Sequence, residues 1–465
     1  MKHTIETSRT DDFDFVVCGG GSAGFAAAVA AARKGLKTAI VEQQGCLGGV
    51  ATVGGINYFL GGRKLQEATG KHLRVVGGIF DEVTDALIAQ HAAVEPNSIN
   101  LKFNPFGWYP RMASGISFDE VALKSLMDDM CAQYHIRVYY NTGLIDSVLD
   151  GEKIQSVIVH NKDGFVNLRA PFFADCTGDA DLVAMSGGRY EMGRREDGLM
   201  TPASLEMHVE NVDGDALVNY QNEHQSPKLV EIIERLKAEG IWTFPYEIFV
   251  TMQLLEKDVF LVNTIRQVGV DGTSEQSLSG ALARGRKENL ELFGIMKEHF
   301  PGFQNARIRK ICDWIGVRET RRIIGLYTVT VADALAGKQY EDCVAATTYN
   351  FDLPDPLKPS YDPMMGDGKK PNALRKHTVI QIPYRSLLPA SITNLSVAGR
   401  CVSAEREVLG AIRVMGPCMQ TGQAVGTATA QAFQQGVSLK DIDVNKLQET
   451  LWKDGVLNPI ELPFD

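Results

Sequence analysis

Residues 16–45 read VVCGGGSAGFAAAVAAARKGLKTAIVEQQG, and their glycines decide the fold. Gly19, Gly21 and Gly24 crowd into six positions, although glycine loses more backbone freedom on folding than any other residue. Something there requires bare backbone. Phe13, Phe15, Val16 and Val17 predict a short buried strand, residues 26–34 an alanine-rich helix, and Thr38, Ala39, Ile40 and Val41 a second strand. Strand, glycine turn, helix and strand make a βαβ unit, within which the three glycines fit G-x-G-x-x-G. Gly19 allows the tight turn, Gly21 lets a pyrophosphate approach the main chain, and Gly24 lets helix and strand pack closely. The helix N-terminus offers free N–H groups and a positive dipole end to phosphates. Glu42 closes the second strand, where a carboxylate can accept hydrogen bonds from ribose hydroxyls. The pattern predicts dinucleotide binding.

The whole chain sets the bounds on this reading. Its 465 residues are enough for two intimately joined domains. Hydrophobic content of 44% and charged content of 22% are ordinary for a globular protein. No apolar run approaches the roughly 20 residues needed to span a bilayer, so no membrane partner is expected. The opening MKHTIETSRTDD is polar and lacks a signal-peptide core, which predicts a cytoplasmic location. A formal net charge of −10 speaks against nonspecific nucleic-acid binding. None of the eight cysteines forms a C-x-x-C pair or takes zinc-ligand spacing with histidine, so no metal site and no dithiol chemistry are expected.

Further along, GCLGGVATVGG at residues 45–55 is a second backbone-rich loop. Residues 79–91 predict an amphipathic helix. Ser117 is placed to cap another, running from Phe118 to about Tyr134, with Glu120 completing a capping box. Residues 136–179 alternate apolar and polar positions around the turn pairs Asp150-Gly151 and Asp163-Gly164, the pattern of a strand meander. From about residue 191 the character changes to mixed strands, residues 203–209 and 259–268, with a helix over residues 278–299. Pro354, Pro356, Pro359, Pro363 and Pro371 mark a loop or linker before the chain returns to a buried strand at residues 394–400. A long helix follows, with Pro417 in its first turn.

The motifs VVCGGGSAG, EQQGCLGGVATVGG, FFADCTGDADL, GVRETRRIIGLYTVT, QIPYRSLLP, NLSVAGRCVSA and IRVMGPCMQTGQAVGTATA span nearly the whole chain. In that order they resemble the FAD-dependent oxidoreductases of the glutathione-reductase-like flavoprotein superfamily. The resemblance implies an α/β, two-domain FAD-binding Rossmann-like fold of the glutathione-reductase type, with an inserted mixed-sheet substrate domain. Its segments would be residues 1–190 and 379–465 for FAD and 191–378 for substrate. It implies that Gly19, Gly21, Ser22, Ala23 and Gly24 hold the pyrophosphate and Glu42 the adenosine ribose. Gly48, Gly49 and Thr52 would line the path to the isoalloxazine, with Gly178 and Asp179 approaching the cofactor from the meander. Gly399 and Arg400 would reach the ribityl chain, and the helix beginning near Gly416 would point at the flavin pyrimidine edge.

The implied cofactor is noncovalent FAD, because no histidine or cysteine stands in an attachment motif; Cys46, Cys401 and Cys418 read as packing thiols. The expected activity is oxidation or reduction of a small polar organic molecule, carboxylated or polyhydroxylated, by hydride transfer at flavin N5. A flavin-dependent monooxygenase and an RNA-modifying or partner-binding flavoprotein are the alternatives. The reading leaves room for an external electron acceptor and for homo-oligomer formation. For substrate binding the richest stretch is GVRETRR, residues 316–322, where guanidinium groups can converge on a carboxylate or phosphate. Arg318, Arg322 and Arg413 are therefore expected to form an anion-accepting pocket, with Tyr384 a further catalytic candidate beside Tyr349, Asp352 and Arg385. The competing reading pairs the GVRETRR arginines with Glu319 and Asp313 as interface struts. Relatives often carry a histidine where this chain has Glu405-Arg406-Glu407, and many read Asp-x-His where it has Asp352-Leu353-Pro354, so no general base carries over.

Overall fold

A computed structural model describes residues 6–66, 68–96, 114–226, 228–357 and 379–462. Pro359, Pro363 and Pro371 lie outside the described residues. The fold is mixed α/β, and its organising element is a five-stranded parallel sheet. Its strands are β1 (Phe15–Cys18), β2 (Thr38–Val41), β3 (Arg137–Tyr139), β4 (Phe172–Asp175) and β5 (Leu395–Val397), in the spatial order β5-β4-β1-β2-β3. Strands from both ends of the chain thus lie side by side. All residues of β1 and β2 are buried, as continuous apolar strands covered on both faces should be.

Of three helices, α1 (Ser22–Arg33), α2 (Glu275–His299) and α3 (Met415–Gln435), the first and third reach the site and α2 contributes no residue to it. Helix α3 packs along α1 at unusually short range. A Cβ at Gly422 would stand 2.0 Å from the Ala23 carbonyl oxygen, and one at Gly426 would stand 2.1 Å from that of Ala27. The alanines of α1 and glycines of α3 therefore serve one purpose, letting two backbones touch so that both helix N-termini reach the same end of the sheet. Gly24 is demanded in the same way, since a Cβ there would lie 1.8 Å from Gly19 O.

The meander forms a four-stranded sheet on the other face, in the order Arg9–Asp12, Gly164–Arg169, Lys153–Asn161, Gly143–Asp150. Its turns sit where expected, with Gly151 at φ +60° and Gly164 at φ +90°. The strand Arg9–Asp12 comes from the polar N-terminal stretch and has no apolar alternation to announce it. It pairs parallel to Gly164–Arg169, with ion pairs Arg9–Asp163 at 2.7 Å and Asp12–Arg169 at 2.7 Å.

Residues beyond 191 build a separate antiparallel sheet, ordered Thr251–Gln253, Phe260–Val262, Met207–Glu210, Arg307–Ile311, with its own aromatic core around Trp242, Phe249, Phe260 and Phe300. The strands are shorter than the sequence implies. Ala203 and Ser204 make only isolated bridges, to Gln267 and Gly316. The helix expected from Phe118 also starts later. Ser117 lies in the strand Ile116–Phe118, and Asp119 caps the helix Glu120–Gln133 by accepting from Ala122 N at 2.8 Å. Asp119 offers the same side-chain acceptor two residues on, which a spacing argument alone does not separate from Ser117.

Candidate active site

At the C-terminal ends of β1 and β4 the chain encloses a cavity of about 1090 Å³. One wall is mostly backbone. Cys18 ends β1, Gly19 turns at φ +100°, and Gly21 caps α1 without any side-chain hydrogen bond to the first turn. Gly19 must be glycine, because a Cβ would lie 2.4 Å from Cys176 O. Gly21 differs: a Cβ there would meet no protein atom within 4 Å, and the space before it is cavity. The wall is bare toward a ligand, not toward the protein. Ser22 Oγ is buried and has no hydrogen-bond partner among the described residues, an orphan that a phosphate oxygen would satisfy. These features fit a pyrophosphate at a helix N-terminus.

Glu42 also lines this wall. Its Oε2 accepts from Gly20 N at 2.7 Å and its Oε1 from Gln44 N at 2.8 Å, so the carboxylate steadies the glycine turn while staying beside the cavity. Burial pushes its pKa up and the backbone N–H groups pull it back. Gly48, at φ +101°, bonds its N–H to Gly20 O at 2.9 Å, and Gly48 and Gly49 both face the cavity. Thr52 does not. Its hydroxyl donates to Leu47 O at 2.7 Å, and it braces the Gly48-Gly49 turn from behind.

Gly178, Asp179, Gly399 and Arg400 close this side of the cavity. The turn carrying the first pair is held by buried Asp175, which accepts from Thr177 Oγ1 at 2.7 Å and Val183 N at 2.9 Å. Arg400 Nη2 pairs with Asp179 Oδ1 at 2.9 Å, and its Nη1 is buried with no partner among the described residues. Gly416 is not on the wall. A Cβ there would run into the 60–62 backbone at 2.9–3.0 Å, so this glycine seats α3, and Val414, Met415 and Cys418 are what that helix end presents. Cys418 is no thiolate, since burial pushes its thiol up to about 12 while it donates to Arg413 O at 3.2 Å.

The opposite wall is made of side chains. Arg318 Nη1 donates to Pro202 O at 2.6 Å and Nη2 to Asn263 Oδ1 at 3.2 Å. Arg413 Nη2 donates to Asp352 O at 2.8 Å and pairs with Asp352 Oδ2 at 3.3 Å, leaving a buried Nε without a partner among the described residues. Arg266 joins them, its Nε buried and likewise unpartnered. Burial lowers the pKa of Arg318, and the neighbouring Arg266 and Arg413 lower it further. Facing these cations is Glu206, only 1% exposed, whose Oε1 and Oε2 both lack a partner among the described residues.

The structure separates the GVRETRR arginines. Arg318 reaches the cavity; Arg322 does not. Arg322 is buried beside Glu319 at 3.5 Å and donates to Gly193 O at 3.1 Å, while Glu319 also takes Arg406 Nη2 at 2.6 Å. The chain is regular only at Arg321–Ile323, so the shared strand face expected for Arg318 and Arg322 never forms. Asp313 pairs with Arg286 instead. Tyr384 also lies away from the cavity, fully buried with its hydroxyl donating to Leu439 O at 2.9 Å, and Arg385 pairs with Asp342 at 2.9 Å. Tyr349 and Asp352 do line the cavity. Glu206 and Arg266 carried no motif. The one available signal for Glu206 was its place in SLEMHV, where it alternates with apolar Leu205 and Met207 just before the strand Met207–Glu210.

A glycine cradle at the end of a parallel sheet, facing a wall of ionisable side chains, defines an enzyme that works with a dinucleotide cofactor. The chain belongs to the FAD dependent oxidoreductase family, whose sequence model matches residues 14–451. It is an FAD-dependent oxidoreductase. Among solved structures it is similar to a geranylgeranyl bacteriochlorophyll reductase-like protein from Thermoplasma acidophilum (12% identity, TM-score 0.47, 96% of this chain and 83% of that one). It is also similar to p-nitrophenol 4-monooxygenase from Pseudomonas putida (10%, 0.46, 96% and 86%) and to L-proline dehydrogenase from P. horikoshii (10%, 0.44, 96% and 98%). A comparison with curated proteins finds no match. Among the described residues no helix is long and apolar enough to cross a membrane.

Proposed function

We propose that this enzyme oxidises or reduces a small organic acid, held by its carboxylate on Arg266, Arg318 and Arg413. FAD, bound noncovalently in the glycine cradle, would supply the hydride acceptor or donor at N5. Residues 1–190 and 379–465 would form the FAD unit of a two-domain, glutathione-reductase-type fold, and residues 191–378 the substrate unit. Gly21, Ser22 and Ala23 would carry the pyrophosphate, Glu42 the ribose, and Arg400 the ribityl region.

The observation that carries the substrate class is the arginine wall. Three guanidinium groups lie against the same cavity, and two of them keep a buried N–H unpaired. An unpaired buried donor costs about 1–3 kcal/mol, so the wall is arranged for a partner the protein does not supply. A carboxylate accepts such forked donors in pairs. Asn263 and Asp352 orient two of the arginines, which leaves the ligand to complete the charge balance.

The test is anaerobic mixing of the FAD-loaded protein with small hydroxy, amino and unsaturated acids, each beside its neutral amide. Bleaching or reoxidation of the flavin by acids, with the amides inert, is the expected result. Equal reaction of the amides would remove the carboxylate from the account.

A further inference from the structure

Glu206 is the group the redox reading leaves unexplained. It sits just before the strand Met207–Glu210, lines the cavity and is 1% exposed, yet neither side-chain oxygen has a partner among the described residues. Charged groups face it from two neighbouring segments: Arg266, beyond the strand Phe260–Val262, and Arg318, from residues 316–318. From the strand Arg307–Ile311 and its end, Cys312 is the nearby titratable group, with a thiol that burial pushes up to about 12. Arg413 and Asp352 act one step further out, through Arg318. An ion pair would have been the simple fate of a carboxylate among arginines. Arg318 instead spends its fork on Pro202 O and Asn263, and no salt bridge joins it to Glu206 among the described residues.

We infer that Glu206 enters the substrate complex as a neutral carboxylic acid, so that wherever the free pocket holds it ionised, one proton is taken up with each organic carboxylate bound. The proposal rests on the arginine wall being the anion site. Its logic is competition. An ionised Glu206 and a ligand carboxylate both draw on Arg266 and Arg318, and two anions sharing one buried site repel. Protonating Glu206 removes the competing negative charge and turns one of its oxygens into a donor. Burial already favours that state, pushing the carboxyl well above the usual range, and the two arginines only partly offset it. The net effect selects a ligand with a carboxylate and, next to it, a hydrogen-bond acceptor for Glu206.

The sign of the pH dependence follows. The neutral form is present below the raised pKa of the free pocket, so affinity is greatest there and falls as pH rises through that value. The limiting slope is about tenfold in Kd per pH unit, for one linked proton. The probes are benzoate and oxalate, titrated into FAD-loaded protein at several pH values and read from the flavin absorption band and by calorimetry. In the wild type both should bind with constant affinity and no proton uptake below the pKa of the free pocket, and above it should weaken with rising pH while taking up close to one proton. Glu206→Gln, fixed in a neutral state, should bind with little pH dependence and exceed the wild type at high pH. Glu206→Asp should keep the linkage. A wild-type pH slope that survives in Glu206→Gln would overturn the role of Glu206 while leaving the anion site standing. Binding of neither probe, or binding unchanged in Arg318→Met, would overturn the anion site itself. Normal flavin content in each variant shows that the fold is intact.

Discussion

The two walls of the cavity are built on opposite plans. On the wall proposed for the cofactor the chain withdraws its side chains: Gly19, Gly21, Gly48, Gly178 and Gly399 expose backbone to the cavity beside the N-terminus of α1. On the wall proposed for the substrate it projects them, with Glu206, Arg266, Arg318 and Arg413 arriving from four separate segments. Backbone recognition suits a cofactor that never changes, because it needs only bare positions at fixed spacing. Side-chain recognition suits a substrate, since each residue can be exchanged without disturbing the sheet.

If that division is right, substitutions on one wall should leave the function of the other intact. The largest effect is expected for Gly21→Val, whose Cβ and methyls would fill the open space against α1. Flavin content per chain should fall nearly to zero, measured by absorbance after purification. Full flavin content in this variant would break the assignment of that wall. Acid precipitation of the wild type should release all the yellow colour, because no histidine or cysteine stands in an attachment motif and the Cys418 thiol at the cavity is buried; colour in the pellet would point to Cys46, Cys401 or Cys418. A smaller effect is expected where neither wall is touched. Arg322→Met removes a partner from buried Glu319 and should lower stability by roughly 1–3 kcal/mol in denaturant unfolding, with flavin content and ligand affinity unchanged. The smallest is Ser22→Ala. Losing one net hydrogen bond of about 0.5–1.5 kcal/mol should weaken FAD about two- to tenfold, read by fluorescence on reconstituting the apoprotein.

The same contrast explains what could be seen in the sequence. The cradle was legible because its glycine spacing is local: a Cβ at Gly24 would clash with Gly19 of the same βαβ unit, although the clash at Gly19 itself is with Cys176, which only the fold brings there. Gly416 was expected only as the start of a helix aimed at the flavin; the structure packs it on the 60–62 backbone, and it does not line the cavity. Thr52 is a similar case, a brace mistaken for a wall. The substrate wall was legible only at Arg318, Arg413, Tyr349 and Asp352. Arg322 looked equivalent to Arg318 because any regular backbone would have aligned them, and the chain is irregular through residues 316–320. Glu206 and Arg266 could not be found by spacing, because only tertiary packing brings strand ends 60 residues apart into one cavity.

The central claim is that the cavity has an anion-binding wall distinct from the cofactor wall, and the pair Arg318→Met and Arg322→Met tests it most directly. The two arginines belong to the same short motif, carry the same charge and are both buried, but only Arg318 faces the cavity. Methionine keeps much of the bulk and deletes the guanidinium fork. A charged hydrogen bond contributes about 1.5–3 kcal/mol, so benzoate affinity, measured against the flavin band, should fall about ten- to hundredfold in Arg318→Met. It should stay at the wild-type value in Arg322→Met, with close to one FAD per chain in both. An equal fall in the two variants, or loss of FAD from Arg318→Met, would contradict the account.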